Sequence, residues 1–197
     1  MRIIVIALLL LRALIVSAGP PSPDTSPEAL RTGGHVVFVR HADTSGQPRD
    51  ATMDLTDRAN QRNLSEAGRA QARAMGDGVR AMQLAVGRVA TSPVFRARDT
   101  AELAFGADRV EIDLRLTADD YVAGSYRTYV EGLRVLLSTP PETGNTWLFG
   151  HWIPLAMAVP GPITARTLQE GAAAVFRPDG DGFTLLGILP PPWWDRP

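Results

Sequence analysis

The sequence contains no lysine and no cysteine, and it has only three histidines. The absence of lysine excludes a Schiff-base lysine, a phosphate-binding lysine of the Walker type and a lysine general base. The absence of cysteine excludes disulfides, thiolate nucleophiles, iron–sulfur clusters and zinc sites built on cysteine. All 20 basic residues are therefore arginines, and 21 acidic residues bring the formal net charge to −1. Because this balance gives no overall field to attract a polyanion, we expect no nucleic acid partner.

The length and the apolar content fit one folded domain. The chain has 197 residues, of which 45% are apolar and 21% are charged. This is enough apolar material to close a single core, which excludes a disordered chain. His35, His41 and His151 are the only imidazoles. We therefore expect the chemistry of this protein to depend on histidine, arginine, carboxylates or hydroxyls.

The first 18 residues have the pattern of a secretory signal. Met1 and Arg2 give a positive start, an apolar run spans residues 3–16, and small residues follow up to Ala18. This pattern predicts cleavage after Ala18 and a periplasmic or secreted protein. Arg12 interrupts the apolar run, and an uncleaved N-terminal anchor is the alternative. Such an anchor would be the only membrane contact that we expect.

The rest of the chain has the alternating pattern of an α/β domain. From residue 33 to residue 197, short apolar runs alternate with helical periodicities. The Pro-rich residues 19–32 are predicted to form a linker before this domain. We predict strands at 35–39, 86–91 and 145–149, helices at 65–82, 92–105 and 126–137, and a hairpin of 173–176 with 183–189.

Basic side chains follow each of the three predicted strands. Arg40 and His41 come after the first strand. Arg96 lies in the first helical turns after the second strand, and His151 follows the third. Because ligands bind at the carboxyl ends of strands in open α/β sheets, these side chains can converge on one dianion. A helix beginning at residues 92–93 would add unpaired N–H groups to the same site.

Four motifs resemble the histidine phosphatase superfamily, the phosphoglycerate-mutase-like enzymes. Residues 38–43, Phe-Val-Arg-His-Ala-Asp, resemble the Arg-His-Gly/Ala-Glu signature of this family. Residues 91–101 are similar to its Ser-Pro-x-x-Arg-Ala-x-x-Thr-Ala block. Residues 63–72 resemble its first-helix pattern, and residues 144–151 resemble its final histidine block. The motifs occur in the order of the family and extend over roughly residues 34–189.

The resemblance implies a fold and a reaction. The fold is a histidine-phosphatase-like three-layer α/β/α sandwich with a mostly parallel sheet. His41 is the implied nucleophile, which forms a phosphohistidine that water then hydrolyses. The implied ligands of the transferred phosphoryl group are Arg40, Arg96 and His151. We expect a small phosphorylated substrate, and no metal or other cofactor, because such a transfer needs mainly positioning and cationic groups.

The general acid is the point at which the sequence departs from the family. The family usually supplies a glutamate that protonates the leaving oxygen, but Ala118 stands at the expected position. Asp119 is the nearest substitute and the predicted catalytic acid, with Asp120 behind it. A general acid contributes about 10²- to 10⁴-fold to a rate, so this difference affects which leaving groups can be expelled. The segment around Asp119 and the polar excursion of residues 44–62 are expected to form the pocket rim.

Three functions are compatible with these residues. The leading hypothesis is a metal-independent phosphomonoester hydrolase, and mutase activity is less attractive for an exported protein. A phosphoprotein or phosphohistidine phosphatase is the first alternative, because a phosphoramidate leaving group differs in its need for an acid. A non-catalytic module that holds a phosphorylated or sulfated ligand in the same arginine-rich pocket is the second.

Overall fold

The computed structural model describes residues 25–195, so the predicted signal segment of residues 1–18 and its cleavage site lie outside the described residues. The described residues form a six-stranded sheet with helices packed against it. Its strands are β1 (Val36–Arg40), β2 (Val86–Thr91), β3 (Glu111–Ile112), β4 (Asn145–Gly150), β5 (Ala173–Pro178) and β6 (Phe183–Leu189). The helices are α1 (Pro27–Thr32), α2 (Glu66–Ala81), α3 (Phe95–Phe105), α4 (Tyr126–Ser138) and α5 (Trp152–Ala158).

The sheet is mostly parallel, as predicted. Its strand order is β3-β2-β4-β1-β5-β6. Parallel pairing joins β3 to β2, β2 to β4 and β4 to β1, whereas β5 is antiparallel to both of its neighbours. Only β5 is therefore reversed among the strands of residues 25–195, and the other strands end at the same edge of the sheet. This is the edge at which open α/β sheets bind their ligands.

Helices cover both faces, which confirms the three-layer α/β/α sandwich. Alternate residues of β1 point to opposite faces, as the two-residue period of a strand requires. Val37 belongs to the core cluster that includes Met75 of α2. Val36 belongs to the cluster on the other face, which includes Leu133 of α4. None of the helices within residues 25–195 combines the length and the apolar character needed to cross a membrane.

The predicted strands and main helices are present, but α3 begins later than predicted. We predicted a helix starting at residues 92–93, whereas α3 starts at Phe95 with Val94 at its N-cap position. Ser92 precedes the N-cap position by two residues, and its hydroxyl accepts a hydrogen bond from the N–H of Val94 and lies beside the ring of His151. Gln61 caps the helix instead, since its Oε1 accepts a hydrogen bond of 3.1 Å from the N–H of Phe95.

The predicted linker of residues 19–32 is wrong in its second half. Residues 27–32 form α1, and Ser26 caps this helix by accepting a hydrogen bond from the N–H of Ala29. Leu30 is 2% exposed and packs in the core. Its carbonyl oxygen accepts a hydrogen bond of 2.7 Å from Nδ2 of Asn145. The prolines suggested an extended linker, but Pro27 is in the first helical turn, where a missing N–H costs nothing.

Candidate active site

The register of β1 and β4 brings two histidines together. Arg40 is paired with Gly150 at the end of these strands, so His41 and His151 follow side by side. The N–H of His41 donates a hydrogen bond of 3.0 Å to the carbonyl oxygen of Gly150. The centroids of the two imidazole rings are 5.4 Å apart, and both side chains are buried. Residues separated by 110 positions in the sequence thus share one pocket.

The ring of His41 has a defined proton position. Its Nδ1 lies 2.9 Å from the carbonyl oxygen of Ala42. Because a carbonyl oxygen only accepts hydrogen bonds, Nδ1 carries the hydrogen and the Nε2 of a neutral ring carries the lone pair. Burial, the charge of Arg96 and then that of Arg40 hold the pKa of His41 well below its usual value. The imidazole is therefore neutral at pH 7 and nucleophilic at Nε2.

His151 is also neutral, for similar reasons. Burial is the main cause of its lowered pKa, and the charge of Arg96 and the proximity of His41 lower it further. Its Nε2 lies 3.0 Å from Oγ of Ser92, which is completely buried. His151 therefore has no charge of its own at pH 7, and it can contribute to the pocket only by hydrogen bonding.

Three arginines surround the histidines. The positive charges of Arg40, Arg62 and Arg96 each lower the pKa of both histidines, which places all three guanidinium groups close to the rings. The Nε–H groups of these three arginines are buried, and none of them has a hydrogen-bond partner within residues 25–195. Buried donors of this kind are costly unless a ligand accepts from them. The arrangement suits an oxyanion, because guanidinium groups match its oxygens in geometry and charge.

Arg40 is held in place by the segment before β5. Its Nη1 donates a hydrogen bond of 2.9 Å to the carbonyl oxygen of Leu168, and its Nη2 lies 3.3 Å from Oε1 of Glu170. The same carboxylate accepts hydrogen bonds from the N–H and the hydroxyl of Thr44, at 2.9 and 2.8 Å. Glu170 thus fixes both the guanidinium group and the chain just after His41.

Arg96 is held by the polar excursion of residues 44–62. Its Nη1 lies 3.2 and 3.3 Å from the two carboxylate oxygens of Asp50. Oδ1 of Asp50 also accepts hydrogen bonds of 2.8 Å from the hydroxyl of Tyr121 and from the N–H of Arg62. Burial acts to raise the pKa of Asp50, but these hydrogen bonds and the charge of Arg96 keep it below its usual value. Asp50 is therefore an anion at pH 7 and is unsuited to act as an acid.

Asp119 begins a single 3-10 turn, residues 119–121, beside the pocket. Its side chain is half-buried, whereas Asp120 is exposed. Burial is the main cause of a raised pKa at Asp119, and the charge of Asp120 raises it further. The charge of Arg96 acts in the opposite direction, which places Asp119 near that guanidinium group. The surroundings of Asp119 thus favour its protonated form.

The structure brings together the sequence-predicted group of Arg40, His41, Arg96 and His151, and it adds residues that sequence reasoning missed. The additions are Arg62, Asp50 and Tyr121 on the Arg96 side, Glu170 on the Arg40 side, and Ser92 against His151. The only signal for Asp50 and Arg62 was their place in a long polar stretch after the first strand. Glu170 lies in an irregular segment, and no sequence pattern there indicated a functional residue.

Comparison with known proteins finds a family that resembles just under half of the chain. The model of branch 1 of the histidine phosphatase superfamily matches residues 36–128. This range holds Arg40, His41, Arg96 and Asp119. Over these residues the chain is similar to the histidine phosphatase superfamily. None of the curated protein sequences matches it.

Solved structures share the fold of this chain. The protein histidine phosphatase SixA, complexed with tungstate, is 22% identical with a TM-score of 0.57, over 80% of this chain and 97% of SixA. A phosphoserine phosphatase from Entamoeba histolytica, in complex with 3-phosphoglyceric acid, is 13% identical with a TM-score of 0.53. That similarity covers 81% of this chain and 98% of the amoebal protein. At these identities the similarity is one of fold.

We expect the protein to lose stability as the pH is lowered from about 7.5 to about 5.5. The lowered pKa values keep His41 and His151 neutral in the folded protein, whereas both take up protons on unfolding once the pH falls below 6.5. Because the unfolded chain then binds more protons, the free energy of unfolding decreases, by about 2 kcal/mol over this range. Urea denaturation at the two pH values measures the change.

The matched controls use the same three histidines. The double variant His41→Asn/His151→Asn should lose most of this pH dependence, and His35→Asn, at a partly exposed position, should retain it. An equal pH dependence in the double variant and the wild type would contradict the assignment of two neutral pocket histidines.

Proposed function

We propose that the protein is a metal-independent phosphomonoester hydrolase that acts through a phosphohistidine on His41. The observation that carries the proposal is the surroundings of this imidazole. It is buried, neutral and tied at Nδ1 to the carbonyl oxygen of Ala42. Three arginines lie around it, and their buried Nε–H groups have no hydrogen-bond partner among residues 25–195. A neutral nucleophile beside fixed cations suits attack on a phosphoryl dianion.

The arginines supply the binding energy and the charge. Burial lowers the pKa of Arg40 and of Arg96, but guanidinium groups stay protonated at any working pH. Their orientation is fixed by Glu170 and Asp50 before any substrate arrives. Preorganised donors of this kind stabilise the equatorial oxygens of the transferred group without reorganising during the reaction. No step of this scheme needs a metal ion, which supports the metal-independent form of the proposal.

The reaction then proceeds in two steps. In the first, Nε2 of His41 attacks phosphorus, the bond from phosphorus to the leaving oxygen breaks, and Asp119 gives its proton to that oxygen. In the second, water attacks the phosphohistidine, the P–N bond breaks, and the Asp119 carboxylate takes a proton from the water. Orthophosphate leaves, and His41 and Asp119 return to their starting states. The raised pKa of Asp119 supports its part in both steps.

A phosphoprotein or phosphohistidine phosphatase is the second candidate. The observation that favours it is Ala118, which is 1% exposed and stands where the family usually has its acid. A phosphoramidate is cleaved at a P–N bond, and its imidazole leaving group can already carry a proton. Such a substrate depends less on an acid from the enzyme than an alkyl phosphate does.

Turnover of an aryl phosphate is the first test of the proposed function. Purified protein should hydrolyse 4-nitrophenyl phosphate in excess EDTA, and His41→Ala should lower kcat/KM by about 10⁴-fold or more. Arg96→Ala should lower it by about 10²-fold or more, because a fixed cation is removed from the transition state. Arg98→Ala is the matched control on α3, since Arg98 is partly exposed and pairs with Glu102. It should change the rate by less than about twofold.

Two outcomes would overturn the proposal. Activity that disappears with EDTA and returns with a metal ion would exclude a metal-independent enzyme. If wild type and His41→Ala were equally inert toward a panel of phosphomonoesters while both bound orthophosphate, the protein would be a phosphate-binding module.

The role of Asp119 is tested by varying the leaving group. Asp119→Asn should lower kcat by about 10²- to 10⁴-fold for an alkyl phosphate, because an alkoxide needs a proton as it leaves. The loss should be much smaller for 4-nitrophenyl phosphate and for phosphohistidine, whose leaving groups are better. Asp120→Asn is the matched control: it removes a charge that helps to raise the pKa of Asp119, but it keeps the carboxyl group of Asp119, so its losses should be much smaller than those of Asp119→Asn. Equal losses in Asp119→Asn for good and poor leaving groups would exclude an acid at this position.

We also propose that residues 1–18 direct the protein to the periplasm or out of the cell. The proposal rests on the positive start, the apolar run and the small residues before the expected cleavage point. Expression of the full chain in a Gram-negative host, followed by fractionation, should yield periplasmic protein that begins at Gly19. Full-length protein in the membrane fraction would support the uncleaved anchor instead, and full-length protein in the cytoplasm would contradict export.

A further inference from the structure

We propose that Ser92 is a positioning residue that fixes the proton of His151 on Nδ1, so that this ring offers a hydrogen-bond donor to the bound anion. Two contacts of one hydroxyl carry the inference. Oγ of Ser92 lies 3.0 Å from Nε2 of His151. The same oxygen accepts a hydrogen bond of 3.2 Å from the N–H of Val94.

The direction of the hydrogen bond to His151 follows from the single hydrogen of the hydroxyl. Ser92 is completely buried, so its hydrogen needs an acceptor inside the protein. The N–H of Val94 is itself a donor, so it cannot accept the hydrogen of the Ser92 hydroxyl. Within residues 25–195, Nε2 of His151 is the one acceptor that is bonded to this hydroxyl. If Nε2 carried a hydrogen and donated it to Oγ, the hydroxyl hydrogen would be left without a partner. That arrangement is disfavoured by roughly tenfold or more.

The direction of this bond defines the tautomer. Burial and the charge of Arg96 lower the pKa of His151, so the ring is neutral at pH 7 and has a single N–H. With the lone pair of Nε2 accepting from Ser92, that N–H is on Nδ1. Nδ1 of His151 has no hydrogen bond to any residue in the range 25–195, although the ring stands at the N-cap position of α5. It is therefore the ring atom that is left for a ligand.

The two histidines then present opposite chemistry. In His41 a backbone carbonyl oxygen accepts the hydrogen bond from Nδ1–H, which leaves a lone pair on Nε2. In His151 the hydroxyl of Ser92 donates a hydrogen bond to Nε2, which leaves the ring hydrogen on Nδ1. A nucleophile needs the lone pair, and a phosphoryl oxygen needs the donor. The other tautomer of His151 would turn a lone pair toward an anion and repel it. The inference rests on the proposed function only for the identity of that anion.

Nitrogen NMR of the imidazole rings tests the tautomer without any enzyme assay. The purified protein, labelled with ¹⁵N-histidine, has three imidazoles, and the variants His35→Gln and His151→Asn assign their signals. At about pH 7.5 the long-range ¹H–¹⁵N spectrum should show His151 protonated at Nδ1. A wild-type spectrum with His151 protonated at Nε2 would overturn the inference by itself, whatever the variants do.

Variants of Ser92 and of its neighbour complete the test. Ser92→Ala should move the proton of His151 to Nε2 or to a mixture, and should leave His41 unchanged because its partner is a backbone carbonyl. Ser92→Thr keeps a hydroxyl and should keep the wild-type tautomer. Thr91→Val is the matched control, since the buried Thr91 hydroxyl has no hydrogen-bond partner within residues 25–195. It should leave the spectrum of His151 as it is. An unchanged His151 tautomer in Ser92→Ala would contradict the inference.

Binding of orthophosphate gives a second, independent result. By calorimetry, Ser92→Ala should raise the Kd by about tenfold, while Thr91→Val should leave it within about twofold. If Ser92→Ala changed the tautomer but not the Kd, the donor role of His151 would be wrong. If the tautomer and the binding both behave as expected and no phosphoester is hydrolysed, the inference stands and the proposed enzymatic function fails.

Discussion

The parallel pairing of β1 with β4 is the constraint on which the pocket depends. It sets Arg40 opposite Gly150, so the next residue of each strand is a histidine. Glycine is required at position 150, because a Cβ there would lie 2.7 Å from the ring of Phe38. Phe38 is itself buried in β1 and packs in the core on one face of the sheet. Core packing thus determines the strand register, and the register determines the separation of the two rings.

Burial of this pocket explains the electrostatics of its residues. Two imidazoles and several guanidinium groups are removed from water, which favours the neutral form of each histidine. The arginines remain charged, and carboxylates from two different segments hold two of them. Glu170 holds Arg40, and Asp50 holds Arg96. Each carboxylate binds the Nη end of its arginine. The buried Nε–H of each arginine has no partner in the described part of the chain, residues 25–195. The fold therefore prepares donors for an anion before the anion binds.

The sequence predicted those parts of the site that lie on regular elements. The apolar runs before Arg40 and before His151 identify buried strands, and the ends of parallel strands meet at one edge. The helical periodicity also predicts the helix that carries Arg96, although the predicted start of that helix was too early. Local patterns of this kind depend on neighbours in the sequence, which is why they can be recognised in one chain.

The remaining parts of the site depend on contacts between distant segments. Asp50 is 46 residues from Arg96, and Glu170 is 130 residues from Arg40. Both carboxylates lie in irregular segments, where no period indicates which way a side chain points. The helix α1 was missed because the prolines of residues 19–32 are typical of a linker, whereas the stability of the helix comes from burying Leu30 in the core. In each case a tertiary contact determined the structure, and local propensity did not.

Detection of phosphate on His41 tests the central claim most directly. The protein is mixed with a phosphomonoester, stopped in alkali and digested with trypsin. His41 is the only histidine in the peptide of residues 41–49, which follows Arg40 and ends at Arg49. We predict phosphate on this peptide that survives base, is lost in acid, and is absent from His41→Ala. Phosphate that survives acid, as on a serine or threonine of the same peptide, would contradict a phosphohistidine intermediate, as would turnover with no labelled peptide.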